Sequence, residues 1–198
     1  MKGKTSILFL FLATALGGFS FIFVTPNGSD PVDTAPVEPI PTYNRADYGS
    51  WIDKDKDCQN TRHEILISSS LIPVTFKTEK QCLVVAGQWL DLYTTTTFTS
   101  SSQLDIDHIV PVKEAHLSGA YKWDKSRKEM FYNDTDNLLA VSRSANRSKG
   151  SKDPASWLPK NTDFTCSYIK KWVTIKQTYN LESDDKEQTA INAIMKEC

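Results

Sequence analysis

The chain has 198 residues, of which 39% are hydrophobic and 11% aromatic, and its formal net charge at pH 7 is −1. A chain of this length and apolar content can bury the core of one ordinary domain, which excludes a wholly disordered protein. The near-zero net charge excludes a protein that is basic over its whole surface.

Basic and apolar residues at the N-terminus indicate a targeting segment. Lys2 and Lys4 precede an apolar run over residues 7–24, which is the layout of an export signal. The run offers a small-residue cleavage site at residues 13–15, but it also approaches the ~20 residues needed to span a bilayer. We therefore expect residues 1–25 to be a signal peptide or an uncleaved N-terminal membrane anchor. The protein is then secreted, or surface-anchored if the segment is retained.

The composition changes abruptly after this segment. Prolines recur among Asp, Thr and Asn over the next stretch, at Pro26, Pro31, Pro36, Pro39 and Pro41. Such a stretch cannot form a packed helix or strand. We expect a Pro-rich linker over residues 26–49 and one folded domain over residues 50–198.

The predicted domain opens with an acidic turn. Asp53, Asp55 and Asp57, with Glu64 eleven residues after the first of them, match the spacing of an EF-hand calcium loop. Cys58 stands where that loop needs glycine for its sharp turn, which weakens the match. A structural Ca²⁺ and a solvated acidic turn without an ion both stay open.

Four cysteines follow the export signal: Cys58, Cys82, Cys166 and Cys198. None belongs to a Cys-x-x-Cys pair, so a zinc cluster or a thioredoxin-like redox site is unsupported. Outside the cytoplasm, disulfides are expected, and four cysteines allow three pairings. We favour Cys58 with Cys82 and Cys166 with Cys198, because this pairing closes two modest loops without crossing the centre of the chain.

Helix and strand signals alternate along the domain and indicate an α+β fold. Asn60 or Thr61 can cap a helix through Ile65 and Leu66. The next stretch, 74–98, contains β-rich runs. The later elements are a strand at 104–110, helices at 112–120 and 125–132, a strand at 138–141, and two helices after Pro159.

The last two helices carry apolar stripes at helical spacing, which are typical of core positions. The first stripe is Tyr168, Trp172, Ile175 and Tyr179, and the second is Ile191, Ile194, Met195 and Cys198. Asp184 and Glu187 have the spacing of a capping box at the start of the second of these helices.

Candidate catalytic residues cluster where the strand at 104–110 ends. Asp107 and His108 lie in that strand, and Asn146 begins a segment after the strand at 138–141. The oxygen ligands of Asp107 and Asn146 suit a hard cation, Mg²⁺ or Mn²⁺. His108 beside such a metal can accept a proton from an attacking water. Because adjacent strand residues point to opposite faces, a bulge or the strand end has to bring these two side chains to one site.

Positive charge is concentrated around this motif. Between Lys113 and Lys152 the chain has nine Lys or Arg and five Asp or Glu, so a local basic surface can engage phosphates although the whole chain is slightly acidic. Arg147 and Lys149 are candidates for phosphate binding. Arg62, beside Cys58, is a candidate either for a phosphate clamp or for holding an active-site acid.

Several spaced motifs, in order, resemble the secreted branch of the HNH endonucleases, which have a ββα-metal core. The resemblance covers residues 48–182 and is carried by Asp57-Cys58-Gln59-Asn60-Thr61-Arg62-His63-Glu64-Ile65-Leu66, Cys82 with Val84 and Gly87, Asp107-His108-Ile109-Val110-Pro111, Asn133-Asp134 with Asn137-Leu138, Asn146-Arg147-Ser148-Lys149-Gly150, and Trp157-Leu158-Pro159.

The resemblance implies a role for each motif residue. His108 is the general base, Asp107 and Asn146 hold the metal, and Asn137 orients the hairpin and the base. Many HNH nucleases use histidine at the metal positions, so the Asp and Asn found here favour magnesium over zinc. The implied fold is a ββα-metal core with an additional N-terminal β-rich segment and C-terminal helices, braced by disulfides.

These observations predict a secreted endonuclease that hydrolyses phosphodiester bonds with the help of one divalent metal. DNA is the expected substrate and RNA a second candidate. We expect little sequence specificity, because no helix-turn-helix or zinc finger is recognisable in the sequence, and we expect a monomer. Two rival functions stay open, namely a non-catalytic, calcium-stabilised extracellular binding module on the same scaffold and a secreted hydrolase of another phosphoester.

Overall fold

The structure is a computed structural model that describes residues 39–198. The expected signal peptide or membrane anchor and the first part of the expected linker lie outside the described residues. Within residues 39–198, none of the helices combines the length and the apolar character that crossing a membrane requires.

The described chain forms two small antiparallel sheets and six α-helices, which confirms the α+β prediction. The strands are β1 (Thr75–Phe76), β2 (Val84–Leu90), β3 (Thr97–Ser100), β4 (Leu104–His108) and β5 (Leu138–Ser142). The helices are α1 (Thr61–Ser68), α2 (Val112–Leu117), α3 (Lys125–Tyr132), α4 (Arg143–Lys149), α5 (Thr162–Tyr179) and α6 (Asp185–Glu197). One sheet has the order β1-β2-β3, and the other consists of β4 and β5.

Local sequence explains where most helices begin. Asn60, Asp124, Ser142 and Asp184 each accept a backbone N–H of the first turn, at α1, α3, α4 and α6. Such caps satisfy amide donors that have no partner within the helix. The Ser142 cap matters most for function, because it starts α4 directly at the end of β5.

Two hydrophobic clusters enclose the β4-β5 sheet. One joins Leu104 and Ile106 of β4 to α1 and to Trp89 of the three-stranded sheet. The other is larger and includes Phe131 of α3 and Trp172 of α5. The β4-β5 hairpin is therefore held between the two halves of the domain, which fixes the position of its side chains.

The folded unit begins earlier than the sequence predicts. Tyr48 is fully buried in the larger cluster, and its hydroxyl is 3.1 Å from Nδ1 of His116. The other nitrogen of His116 is 2.8 Å from the carbonyl oxygen of Pro41. The compact unit starts at Pro39, so residues 39–49 belong to the domain and the linker prediction is too long at this end.

Both expected disulfides are present. Cys58 pairs with Cys82 across 24 residues of sequence, and Cys166 pairs with Cys198 across 32. The first bond joins the acidic turn to the start of β2, and the second joins α5 to the end of α6. Each bond braces one end of the domain.

The C-terminal helices confirm the predicted core stripe of α5, whereas the α6 stripe is only partly buried and its predicted capping box is incomplete. Trp172 is fully buried on the α5 stripe, whereas Met195 of the α6 stripe is 40% exposed. Asp184 caps α6 as expected. The carboxylate of Glu187 does not complete a capping box, because it accepts hydrogen bonds from Trp172 and Lys176 inside the protein.

Candidate active site

The central motif folds as a β-hairpin followed by a helix. Asp107 pairs with Leu139 and His108 with Leu138, in a regular antiparallel register without a bulge. The side chains of Asp107 and His108 consequently leave the strand on opposite faces. They nevertheless line one pocket together with Asn146 and Arg147 of α4, because β4 ends there. That the two side chains act on one substrate therefore stays a prediction.

His108 is a buried, firmly held imidazole. Its Nε2 atom is 2.8 Å from the backbone carbonyl oxygen of Tyr132, and since a carbonyl only accepts, Nε2 must carry the hydrogen. The other ring nitrogen, Nδ1, is then the unprotonated one. Trp51 and Phe131 stack nearly parallel to the ring, at centroid distances of 5.4 and 6.2 Å. The plane and the tautomer of His108 are thus both fixed.

Burial keeps the imidazole of His108 uncharged. Desolvation lowers its pKa from 6.5 to about 3, with smaller contributions from the charges of Arg45 and Lys149, while the bond to Tyr132 opposes the shift. At neutral pH the imidazole is therefore neutral, and its Nδ1 atom carries no hydrogen.

Asp107 forms a buried ion pair. Its carboxylate is 2.9 Å from the Lys149 ammonium group and accepts a hydrogen bond of 2.8 Å from the Tyr93 hydroxyl. Burial raises the pKa of Asp107 and lowers that of Lys149, and the charge of each partner opposes the shift of the other. Lys149 also donates to the carbonyl oxygen of His108 at 2.7 Å. One ammonium group therefore fixes both residues at the end of β4.

Asn146 contacts a different carboxylate from the one that the motif suggests. Its Nδ2 atom donates to Asp105 at 3.0 Å, and Asp105 also lies 3.6 Å from the guanidinium of Arg143. Asp105 was not among the predicted site residues. The signal for it was present, because residues two apart in a strand share a face, which places Asp105 beside Asp107.

Asn137 ties the hairpin together at the same end. Its fully buried amide accepts a hydrogen bond from the backbone N–H of Val110 at 2.9 Å and donates to the carbonyl of Val110 at 3.3 Å. Its own backbone carbonyl accepts from Ile109 at 2.8 Å. Asn137 therefore orients the chain that leaves His108, without itself lining the pocket.

The three predicted phosphate-binding residues occupy different environments. Arg147 is exposed and lines the pocket. Lys149 has no exposed surface and is bound to Asp107. Arg62 donates to the carbonyls of Ser101 and Leu104 at 3.2 and 3.1 Å. Of the three, only Arg147 lines the pocket. The interpretation of Lys149 and Arg62 as phosphate-binding residues therefore requires correction. Arg62 stabilises the start of β4, and Lys149 stabilises its end.

Two basic side chains at the pocket were missed. Lys113 of α2 and Arg45 both line it. Lys113 was counted in the basic stretch but given no role of its own. Arg45 and the stacking residue Trp51 precede all the motif positions near the site, so only the tertiary fold relates them to His108.

The acidic turn is a separate feature. One carboxylate oxygen from each of Asp53, Asp55 and Asp57 lies within 4.8 Å of the others, so this triad could hold a metal ion. Cys58 has φ +74°, a conformation that usually requires glycine. The turn thus keeps the backbone shape that the missing glycine would have favoured.

Comparison with known proteins indicates a nuclease-type function. Residues 61–194 match the family model described as the C-terminal domain of GmrSD restriction endonucleases. An uncharacterized secreted protein of Arthroderma benhamiae is 32% identical over 165 residues, which cover 82% of this chain and 79% of that protein. No solved structure matches the chain.

Proposed function

Because the chain belongs to the family of C-terminal domains of GmrSD restriction endonucleases, we propose that it is a metal-dependent HNH endonuclease that hydrolyses phosphodiester bonds of DNA. His108 acts as the general base. The observation that carries this proposal is the geometry of His108, which lines the pocket and is held through Nε2 by the Tyr132 carbonyl, so that Nδ1 is the nitrogen without a hydrogen.

The oxygen donors at the pocket are of the type that a hard divalent cation prefers, and a cation bound by Asp107 would share this carboxylate with Lys149, whose ammonium group contacts both of its oxygens. Asp107 and Asn146 supply carboxylate and amide oxygens, the donor types that Mg²⁺ and Mn²⁺ prefer over the His and Cys ligands of zinc. The Nδ2 atom of Asn146 is bound to Asp105, which leaves its Oδ1 atom as the donor for a metal. A metal held here would stabilise negative charge on the phosphate and on the leaving oxygen.

The remaining residues prepare this pocket for a phosphodiester. Arg147 and Lys113 provide positive charge next to His108, which attracts the substrate backbone and offsets its charge. Lys149 keeps the Asp107 carboxylate in place through a bond of 2.9 Å. His108 takes the proton of the attacking water, and the cleavage leaves 5′-phosphate ends. Contacts with the backbone alone explain why we expect little sequence preference and why RNA is a second candidate substrate.

We also propose that the protein acts outside the cytoplasm as a monomer. The two disulfides favour an oxidising compartment, and the relative from Arthroderma benhamiae is described as secreted. The proposed segment at 1–25 would supply the export signal or a membrane anchor.

Replacing His108 by alanine tests the proposal. Loss of a general base lowers a rate by about 100- to 10,000-fold, so His108→Ala should nick plasmid DNA at least about 100-fold more slowly than the unaltered protein in Mg²⁺. EDTA should abolish nicking by the unaltered protein. Lys170→Gln is the control, because Lys170 is exposed on α5 and does not line the pocket.

The same experiment separates the rival functions. A non-catalytic module stabilised by calcium predicts no nicking in any metal and a melting temperature that rises on adding Ca²⁺. A hydrolase of another phosphoester predicts turnover of a small chromogenic diester without nicking. Undiminished nicking by a folded His108→Ala protein contradicts the assignment of the base.

A further inference from the structure

Arg45 lines the pocket that contains His108 and Asn146. It lies before the segment that matches the family model, which starts at residue 61, and within the stretch that the sequence marks as a linker. Its presence in the pocket is therefore a feature of this fold that the family match does not cover.

One residue positions both Arg45 and His108. The guanidinium Nη2 atom donates to the Tyr132 hydroxyl at 3.1 Å, and its central carbon lies 5.3 Å from the centre of the Tyr132 ring. The backbone carbonyl of the same tyrosine holds Nε2 of His108 at 2.8 Å. Tyr132, at the end of α3, thereby contacts both a cation and the proposed base of the pocket.

The charge of Arg45 has no acidic partner within residues 39–198. The salt bridges there involve Arg143, Lys149 and Lys176. The partners of Arg45 are the hydroxyls of Tyr132 and Tyr43, which carry no charge, and a guanidinium has five N–H donors, so donors are left for another acceptor. A planar guanidinium without a counterion matches a phosphate group in charge and in geometry.

We propose that Arg45 binds a phosphate of the nucleic-acid substrate next to the scissile bond, an inference that rests on the proposed endonuclease function. Arg45 then joins Arg147 and Lys113 as a third basic residue at the pocket, and it comes from the N-terminal part of the domain. Residues 39–51 are then part of the active site as well as of the fold.

Steady-state cleavage of a short duplex in Mg²⁺ tests this. Arg45→Gln removes a charge-assisted contact and should lower kcat/KM by about 10- to 100-fold. Arg45→Lys keeps the charge but loses the planar fork, so its loss should be smaller. Lys170→Gln removes one exposed charge from α5 and should stay within about twofold of the unaltered protein.

Two further measurements distinguish a phosphate contact from a structural effect. A duplex with one neutral methylphosphonate at the contacted position should be cleaved poorly by the unaltered protein, and Arg45→Gln should show no further loss on that duplex. Tyr132→Phe removes the hydroxyl but keeps the carbonyl that holds His108. Tyr132→Phe should lower kcat/KM less than Arg45→Gln does. When it is added to Arg45→Gln, it should cause no further loss.

The outcomes are distinct for the two proposals. An unaltered protein that neither cleaves nor binds the duplex overturns the endonuclease function and the role of Arg45 together. An unaltered protein that cleaves, with Arg45→Gln equal to Lys170→Gln, overturns only the role of Arg45. A lower melting temperature of Arg45→Gln, with full activity per folded molecule, also overturns it.

Discussion

Two lysines are buried within the described residues, and their surroundings differ. Lys149 of α4 has no exposed surface and faces one carboxylate, that of Asp107. Lys176 of α5 is 4% exposed and faces two carboxylates, those of Glu114 and Glu187. Formal charges therefore cancel in the first cluster and leave one negative charge in the second.

The two clusters also connect different parts of the protein. Lys176 joins α5 to α2 and α6, and donates to Ser118 and to the carbonyl of Glu182 as well. Lys149 joins α4 to β4 at the pocket. A buried ion pair thus stabilises helix packing in one place and, in the other, positions the strand that ends at the proposed active site. Burial of an ion pair does not by itself identify a functional site.

Replacing each of the two lysines should have the largest effect and tests the difference between the two clusters. Lys149→Met and Lys176→Met both leave a buried carboxylate without its partner, which costs about 3–5 kcal/mol of unfolding free energy. Only Lys149→Met should also lower cleavage per folded molecule, because Asp107 loses its support. Urea unfolding measures the first effect, and initial rates corrected for the folded fraction measure the second. Equal losses of corrected rate in both variants contradict the distinction.

Opening the disulfide of the helical end should have the next largest effect. Cys166→Ser with Cys198→Ser removes a bond that spans 32 residues, and such a loss costs about 2–4 kcal/mol. Because this bond lies away from the pocket, cleavage per folded molecule should not change. Cys58→Ser with Cys82→Ser is the matched pair for stability, measured by thermal melting under the same conditions. A changed kcat in the Cys166 and Cys198 variant shows that the helical end influences the site.

The smallest expected effect is a loss of stability in acid that arises from the buried His108. Its pKa is about 3 in the folded protein and 6.5 without the burial. Between pH 3 and pH 6.5 the unfolded chain binds a proton at His108 that the folded protein does not. The burial of His108 therefore lowers the free energy of unfolding as pH falls, and this effect vanishes above pH ~6.5. At pH 5 it amounts to about 2 kcal/mol. Urea unfolding of His108→Gln between pH 7 and 5 should decline less than that of the unaltered protein, and parallel declines contradict the burial argument.

Local sequence was sufficient for the elements but not for the partners of the acids. The caps at Asn60 and Asp184 and the α5 stripe around Trp172 depend on residues close in sequence, and the structure bears them out. The β4-β5-α4 order also follows from local patterns. What the motif could not determine is which of two acids on one face of β4 meets which residue of α4.

That assignment depends on how α4 is placed on the strand. Asp105 meets Asn146 and Asp107 meets Lys149, although the motif leads one to expect Asp107 beside Asn146. Counting charges in the sequence treats a lysine as exposed, and nothing near Lys149 indicates that it is buried. The places of Arg45 and Trp51 could not be predicted from local sequence either. Long-range packing against Tyr132 and His108 brings them to the site.

The burial of Tyr48 means that the compact domain is longer than the segment that matches the family model. A protein shortened to residues 61–194 would keep the β4-β5-α4 motif but leave an empty space where the Tyr48 ring fills the larger cluster. It would also lack Trp51 against the imidazole of His108 and Cys198 as the partner of Cys166. The family match contains the proposed catalytic motif, whereas the packing of the domain also uses flanking sequence on both sides of that segment.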